Sequence, residues 1–254
     1  MHTYYIIIFF IIGTIFGSFF NVVAYRMSNN LSIVKPGSHC EYCNHKLRWY
    51  ELIPIFSYLF QLGRCNKCKE KLSKGYIIVE IITGILFATC YNEFGFSAKL
   101  IISLIFTSSL IITIVSDIEY MIIIDEVILI SSILILLTHL FSQGFQHAFY
   151  MLTSGLLSFI TMYLIKLFGD FIFKKESLGG GDIKLMFLFG ITLGYEMSIM
   201  AIFLGTFLAF PISLYILLKR KNNMIPFGPF LSIAAILILI TKLDLPKIIN
   251  WFQL

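Results

Sequence analysis

Two aspartates sit at the ends of apolar runs, where an acid is costly. Asp182 ends the turn of Leu178-Gly179-Gly180-Gly181-Asp182-Ile183-Lys184, and Asp117 closes the apolar run over residues 100–116. An ionisable group at a membrane boundary is by default a functional-site candidate, and three glycines remove the Cβ atoms that would keep an extended peptide away. For Asp182 alone, a flexible linker followed by a helix N-cap explains the pattern as well. The second acid shifts the balance. Two carboxylates in a dry, partly enclosed site cannot both ionise easily, so one keeps its proton while the other is charged. The charged one takes a proton from water and the neutral one protonates the scissile carbonyl, as in aspartic proteases. Such chemistry needs no covalent nucleophile and no catalytic metal, and neighbouring helices bridge a separation of about sixty-five residues.

A second constellation is made of cysteines. Cys40-Glu41-Tyr42-Cys43 and, about twenty residues on, Cys65-Asn66-Lys67-Cys68 form two C-x2-C pairs. Each pair makes a tight knuckle that presents two thiolates, and two knuckles complete the tetrahedron that zinc prefers. The competing reading is disulfides or idle thiols; a reducing cytoplasm disfavours the first. Four sulfurs leave no open coordination position, so the expected zinc is structural. His39 and His45 flank the first knuckle and are read as surface residues, the alternative being that one replaces a cysteine ligand. Cys90 lies away from the others and is read as a small apolar packing residue.

These groups need helices to position them. With 58% hydrophobic residues in 254 and a mean hydropathy of +0.89, the composition is that of a polytopic membrane protein. Apolar runs at 4–25, 76–91, 100–116, 122–141, 148–168, 183–195, 198–218 and 227–242 predict an all-α fold with about eight transmembrane helices, the sixth being short. The first run lacks a small-residue cleavage site and is expected to be retained. The expected division is a first helix over 1–26, a Cys-rich zinc segment over 27–75 and a transmembrane domain over 76–254.

Charge sets the expected orientation. Arg26, Lys35, Lys46, Arg48, Arg64, Lys67, Lys69, Lys71 and Lys74 crowd the segment after the first run, and Lys174, Lys175, Lys219, Arg220 and Lys221 lie in later connections on the same side. The opposite side carries little beyond Lys99, Lys242 and Lys247. The positive-inside rule therefore places the Cys-rich segment and both aspartates at the cytoplasmic face, with an even helix number putting both termini outside. This asymmetry accounts for the net charge of +5, and no nucleic-acid partner is implied.

Other polar residues have two readings each. Gly13, Gly17 and Ser18 recur at small-xxx-small spacing and predict close helix packing. Asn21 and Arg26 are either snorkelling interfacial groups or a site rim. Glu80, about one turn inside the second run, either lines a cavity or reaches back to a base such as Lys74. Glu119, Asp125 and Glu126 follow Asp117 in one short connection and are read as solvated. His139 and His147 fall on the outer side, away from the aspartates. Pro226-Phe227-Gly228-Pro229 is either a rigid, irregular entry to the last helix set against the site or a helix start of the usual kind.

In one order along nearly the whole chain, the sequence resembles the type IV prepilin peptidases, membrane aspartic peptidases of the Gly-x-Gly-Asp class. The resemblance rests on Gly17-Ser18-Phe19-Phe20-Asn21-Val22-Val23 with Arg26, the two Cys pairs, Pro54-Ile55-Phe56-Ser57-Tyr58 and Gly63-Arg64-Cys65 between them, and Val79-Glu80. It continues through Asp117 with its following acids and Gly179 to Lys184, and ends at Pro226-Phe227-Gly228-Pro229. It implies that Asp117 and Asp182 are the catalytic pair, and that Cys40, Cys43, Cys65 and Cys68 hold zinc. The implied substrates are type IV prepilins or pseudopilins, cut after a glycine that ends a short basic leader. Many such proteins also methylate the new N-terminus with S-adenosylmethionine, although this chain has no glycine-rich nucleotide fingerprint. Relatives carry proline before the acid matching Asp125, where this chain has Ile124. The expected location is the bacterial plasma membrane. A proton-coupled transporter using the same acids is the alternative from another class; it predicts acids spread across the membrane and an inverted repeat. A zinc scaffold with solvated acids is a third.

Overall fold

A computed structural model of the chain describes residues 2–40, 42–218 and 226–242. Lys219, Arg220, Lys221 and Lys247 of the charge argument lie outside the described residues. Among those described, every regular element is helical. In chain order they are α1 His2–Ser28, a 3₁₀ turn Trp49–Leu52, α2 Phe56–Phe60, α3 Lys74–Phe94, α4 Ala98–Tyr120, α5 Asp125–Gln143, α6 Phe145–Phe173, α7 Gly180–Leu193, α8 Tyr195–Leu218 and α9 Gly228–Thr241.

All eight apolar runs are helices, and six helices are long and apolar enough to cross a membrane. The two that fall short are α7 and α9, with 14 residues each. At 1.5 Å per residue that is about 21 Å, against about 30 Å of hydrocarbon. The sequence admitted both among runs that span or nearly span, and it marked the sixth, α7, as short. Gly194 ends α7 in a positive-φ conformation that helical residues do not adopt.

The chain divides into two units, Met1–Phe96 and Ser97–Leu254. In the first, α1 and α3 lie against each other, and the small residues of α1 sit at their contact. A Cβ on Gly13 would come within 2.7 Å of the Thr83 carbonyl oxygen, and one on Gly17 within 2.9 Å of the Glu80 Cα, so only glycine permits this approach. Cys90 is fully buried in the same unit. Arg26 is neither snorkelling nor free. It is buried and donates to the carbonyls of Ser32, Ile33 and Gly37, which ties the polar segment to the end of α1. Asn21 donates to Gly17 and Tyr76 carbonyls, linking α1 to α3.

In the second unit, α4 packs on α5 and α9, and α7 packs on α5, α6 and α8. Phe106, Leu110, Phe189 and Leu231 are fully buried there. The outward faces are as apolar as the inward ones: Phe141, Phe168, Phe171 and Phe207 are each at least two-thirds exposed. A surface of that kind fits lipid as its solvent and not water. Near the C-terminal end of α5, His139 is buried and its Nε2 lies 3.2 Å from the Ile191 carbonyl, stitching α5 to α7.

The tightest contact in the second unit is α6 against α7. A Cβ on Gly190 would lie 2.6 Å from the Gly155 Cα and the Ser154 carbonyl oxygen, both backbone atoms that cannot swing aside. Gly190→Leu is therefore expected to lower the detergent-solubilised melting temperature by several degrees, from overpacking of about 1–3 kcal/mol. Gly180→Ala, whose Cβ meets nothing within 4 Å, should leave the melting temperature nearly unchanged. Differential scanning fluorimetry of both variants distinguishes a packed contact from a general intolerance of side chains.

Candidate active site and metal centre

Asp117 lies in the last turn of α4, and Asp182 is the third residue of α7. Both are buried, at 6% exposure each, and line one cavity of about 510 Å³ together with Met121, Ile123, Gly179, Lys184 and Phe227. Gly228, the first residue of α9, sits between them. The point where its Cβ would stand is 2.5 Å from Asp117 Oδ2 and 3.4 Å from Asp182 Oδ1, so the two carboxylates share a single space. The sequence left two readings of this region, an irregular entry set against the site or an ordinary helix start, and the structure has the first. Its glycine is what admits the two acids.

Each acid is held by a backbone N–H group. Gly228 donates to Asp117 and Gly179 to Asp182. The position of Asp182 in the first turn of α7 also sets its negative charge against the positive end of that helix. Asp182 Oδ1 is buried without a protein hydrogen-bond partner. A buried polar oxygen of this kind calls for a partner from outside the chain, water or substrate. At the mouth, Lys184 reaches Asp125 at 2.6 Å, but both side chains are about half exposed and the pair contributes little. The neighbouring Ile124 is buried as the N-cap of α5.

The four cysteines of the Cys-rich segment converge as a second centre. Cys40, Cys43, Cys65 and Cys68 place their sulfurs within 4.8 Å of one another, with Cys40 to Cys68 at 3.8 Å and Cys43 to Cys65 at 3.9 Å. The set can hold a metal ion. Two copies of one backbone pattern build it, twenty-five residues apart. The Cys40 N–H donates to the His45 carbonyl and Asn44 N–H to the Cys40 carbonyl; Cys65 with Glu70, and Lys69 with Cys65, repeat both bonds. Asn44 and Lys69 take the same left-handed conformation at equivalent positions. The N–H groups of Cys68 and Lys67 point at the Cys65 sulfur, an arrangement that favours a thiolate.

Glu51, which the sequence did not single out, fastens the two knuckles. It is buried, accepts from the Arg48 N–H at 2.8 Å and the Asn66 amide at 2.7 Å, and lies 3.5 Å from His45. Burial opposes its charge, but these donors and the adjacent imidazole outweigh it and hold the carboxyl below the usual range. His45 and Asn66 belong to different knuckles, so Glu51 joins them where no local sequence signal could show it. His39 turns to the Gly37 carbonyl and does not join the sulfur cluster.

Comparison with known proteins finds two family models along the chain. A bacterial peptidase A24 N-terminal domain matches residues 11–94, and the type IV leader peptidase family matches residues 104–214. A prepilin leader peptidase/N-methyltransferase of Bacillus subtilis (strain 168) is 34% identical over 236 residues, covering 91% of this chain and 92% of that protein. Proteins of the same name from Pseudomonas putida and Neisseria gonorrhoeae are 29% and 26% identical, covering 91% and 95% of this chain and 89% and 92% of their own. No solved structure matches the chain.

The convergence of four sulfurs predicts one metal ion per chain in protein purified without chelator. Elemental analysis by plasma mass spectrometry should find it, and Cys65→Ser should reduce it severalfold. Limited proteolysis should then cut between residues 40 and 72 faster than in the wild type. A wild-type protein without stoichiometric metal would exclude the metal centre.

Proposed function

The chain belongs to the type IV leader peptidase family and is a membrane prepilin peptidase with N-methyltransferase activity, and from that premise we propose that Asp117 and Asp182 cut the leader. The observation that carries the assignment is the shared space at Gly228, where two buried carboxylates meet against one glycine. At such separation the pair holds a single proton between them. A water between the carboxylates gives a proton to the charged one as its oxygen bonds to the scissile carbonyl carbon. The protonated partner donates to the carbonyl oxygen. Collapse of the tetrahedral diol breaks the C–N bond: one diol hydroxyl returns its proton to the partner carboxylate, and the proton gained from water passes to the leaving amine.

The substrates we assign are type IV prepilins or pseudopilins, cut between a short basic leader and an apolar helix. The exposed apolar face of the unit offers such a helix a lipid-like path to the acids. The charge asymmetry of the loops supports a cytoplasmic position for both the acids and the Cys-rich segment. The host membrane is the bacterial inner membrane.

We assign zinc to the four cysteines. A tetrahedral zinc with thiolates at about 2.3 Å separates its sulfurs by about 3.8 Å, and the observed separations of 3.8 and 3.9 Å fit it. The role is structural, since four protein sulfurs fill the sphere. For the methyl transfer we assign S-adenosylmethionine, which supplies an electrophilic methyl group on a sulfonium. The residues of this chain that suit it are in the first unit, where a cavity with a buried acid and aromatic walls stands beside the Cys-rich segment.

Asp117→Asn and Asp182→Asn should each lower the rate of leader removal from a prepilin by roughly 100- to 10,000-fold, the usual range for loss of acid–base catalysis. Mass spectrometry of a co-expressed prepilin reads it directly. Equal cleavage by both variants would remove the aspartates from the chemistry. Gly228→Val tests the geometry separately. Its side chain would displace the Asp117 carboxylate, so cleavage should fall by a comparable factor while bound metal stays at the wild-type level.

A further inference from the structure

We propose that the cavity of about 260 Å³ in the first unit binds the methyl donor through its positive charge, with Glu80 as the carboxylate that faces the sulfonium. The proposal rests on the methyltransferase reading above and adds to it the site, the ligand class and the residue. Glu80 has no part in the two-aspartate cleavage of the leader, yet it is a buried acid on the wall of a cavity. Among the described residues no lysine, arginine or histidine forms an ion pair with it. Arg26, on the same wall, spends its guanidinium on three backbone carbonyls. A buried carboxylate without a cationic partner is costly, and a bound cation relieves that cost.

The chain around Glu80 is built to hold it in place. The Ile55 N–H donates to Glu80 Oε2 at 2.7 Å, and the Ser18 hydroxyl donates to the same carboxylate. Ile55 has φ +63° and ψ −55°, and the Phe56 N–H reaches back to the Pro54 carbonyl at 2.6 Å. This is the rare, strained hand of γ-turn, carried here by a β-branched residue that disfavours positive φ. Such strain persists only where the surroundings impose it, and it concentrates at ligand sites. Here the buried carboxylate imposes it. The turn sets Ser57 and Tyr58 on the cavity wall, which Tyr25 of α1 and Tyr76 of α3 also line.

Those walls match a sulfonium nucleoside in three respects. Tyrosine faces attract a cation and stack on a purine. Glu80 supplies the one buried negative charge that is not already matched, since Glu51 is engaged by Arg48, Asn66 and His45. Lys71, exposed at the rim, suits the carboxylate of the ligand's amino-acid end. The volume approaches the lower end of small-molecule pockets, about 300 Å³.

Charge recognition makes a comparison that shape alone does not. S-adenosylhomocysteine has the same nucleoside and amino-acid ends but a neutral thioether. Titration calorimetry on the full chain in detergent should show S-adenosylmethionine binding about tenfold more tightly than the thioether, one charge contact's worth of discrimination. Glu80→Gln keeps an oxygen to accept the Ile55 N–H while removing the charge. It should weaken the sulfonium about tenfold and bring the ratio of the two affinities close to one. A ratio unchanged in Glu80→Gln, or equal loss of both ligands, overturns the proposal.

Hydrogen exchange of the wild type needs no variant. With saturating S-adenosylmethionine it should slow at residues 53–58 and 76–80, and binding without protection there also overturns the site. Leader removal is measured in parallel on the same preparation. A protein that cuts prepilin but binds no sulfonium rejects the cavity and leaves the peptidase standing, whereas binding in the cavity without cutting does the reverse.

Discussion

The site in the second unit depends on how closely the backbone of Gly228 approaches the Asp117 carboxylate. Any other residue there would put a carbon where the acid stands. The close approach has two consequences. It brings a backbone N–H to Asp117, so the buried carboxylate has a donor, and it leaves room for Asp182 beside the same glycine. Buried charge is tolerated only with such partners. The short α7 and α9 follow from the same requirement. Both begin at the site, Asp182 in the first turn of one and Gly228 at the start of the other, so neither extends past the acids on that side.

The first unit solves a different problem, which is to order about forty-five polar residues without a core of their own. Two repeated knuckles do part of it, each folded by the same pair of backbone bonds and the same left-handed residue. Three buried charged side chains do the rest. Arg26 fixes the start of the segment to α1, Glu51 ties knuckle to knuckle, and Glu80 ties the turn at Ile55 to α3. Each one accepts from or donates to backbone, and each bond spans elements that apolar packing does not join. A metal at the sulfurs would complete this framework, since its binding energy is also folding energy.

Much of this was legible in the sequence because its signals are local. Apolar length marked the helices, C-x2-C pairs marked the sulfur cluster, and acids at the ends of apolar runs marked Asp117 and Asp182, which the structure brings into one cavity. What stayed hidden depends on partners far along the chain. Glu51 carried no signal of its own, because its partners His45 and Asn66 lie in different knuckles. Arg26 read equally as a snorkelling group, because its acceptors are carbonyls and carbonyls have no sequence signature. The strain at Ile55 runs against propensity, so propensity could not predict it. Gly228 was seen as a helix opener, and only the fold shows that its missing Cβ is occupied by a carboxylate.

The three consecutive glycines before Asp182 show how finely space is apportioned. They look interchangeable in the sequence, and each stands in a different setting. A Cβ on Gly181 would collide with Ile123 at 2.7 Å, which makes that glycine a packing residue between α7 and the connection ahead of α5. Gly179 turns its N–H to Asp182, and a Cβ there would only graze the carboxylate at 3.4 Å. Gly180 meets nothing within 4 Å although it lines the cavity. Open space beside a backbone without a side chain is what an extended peptide needs in order to lie against it. Of the three, only Gly180 leaves open space beside its backbone at the cavity, while Gly181 is committed to packing on Ile123 and Gly179 to holding Asp182.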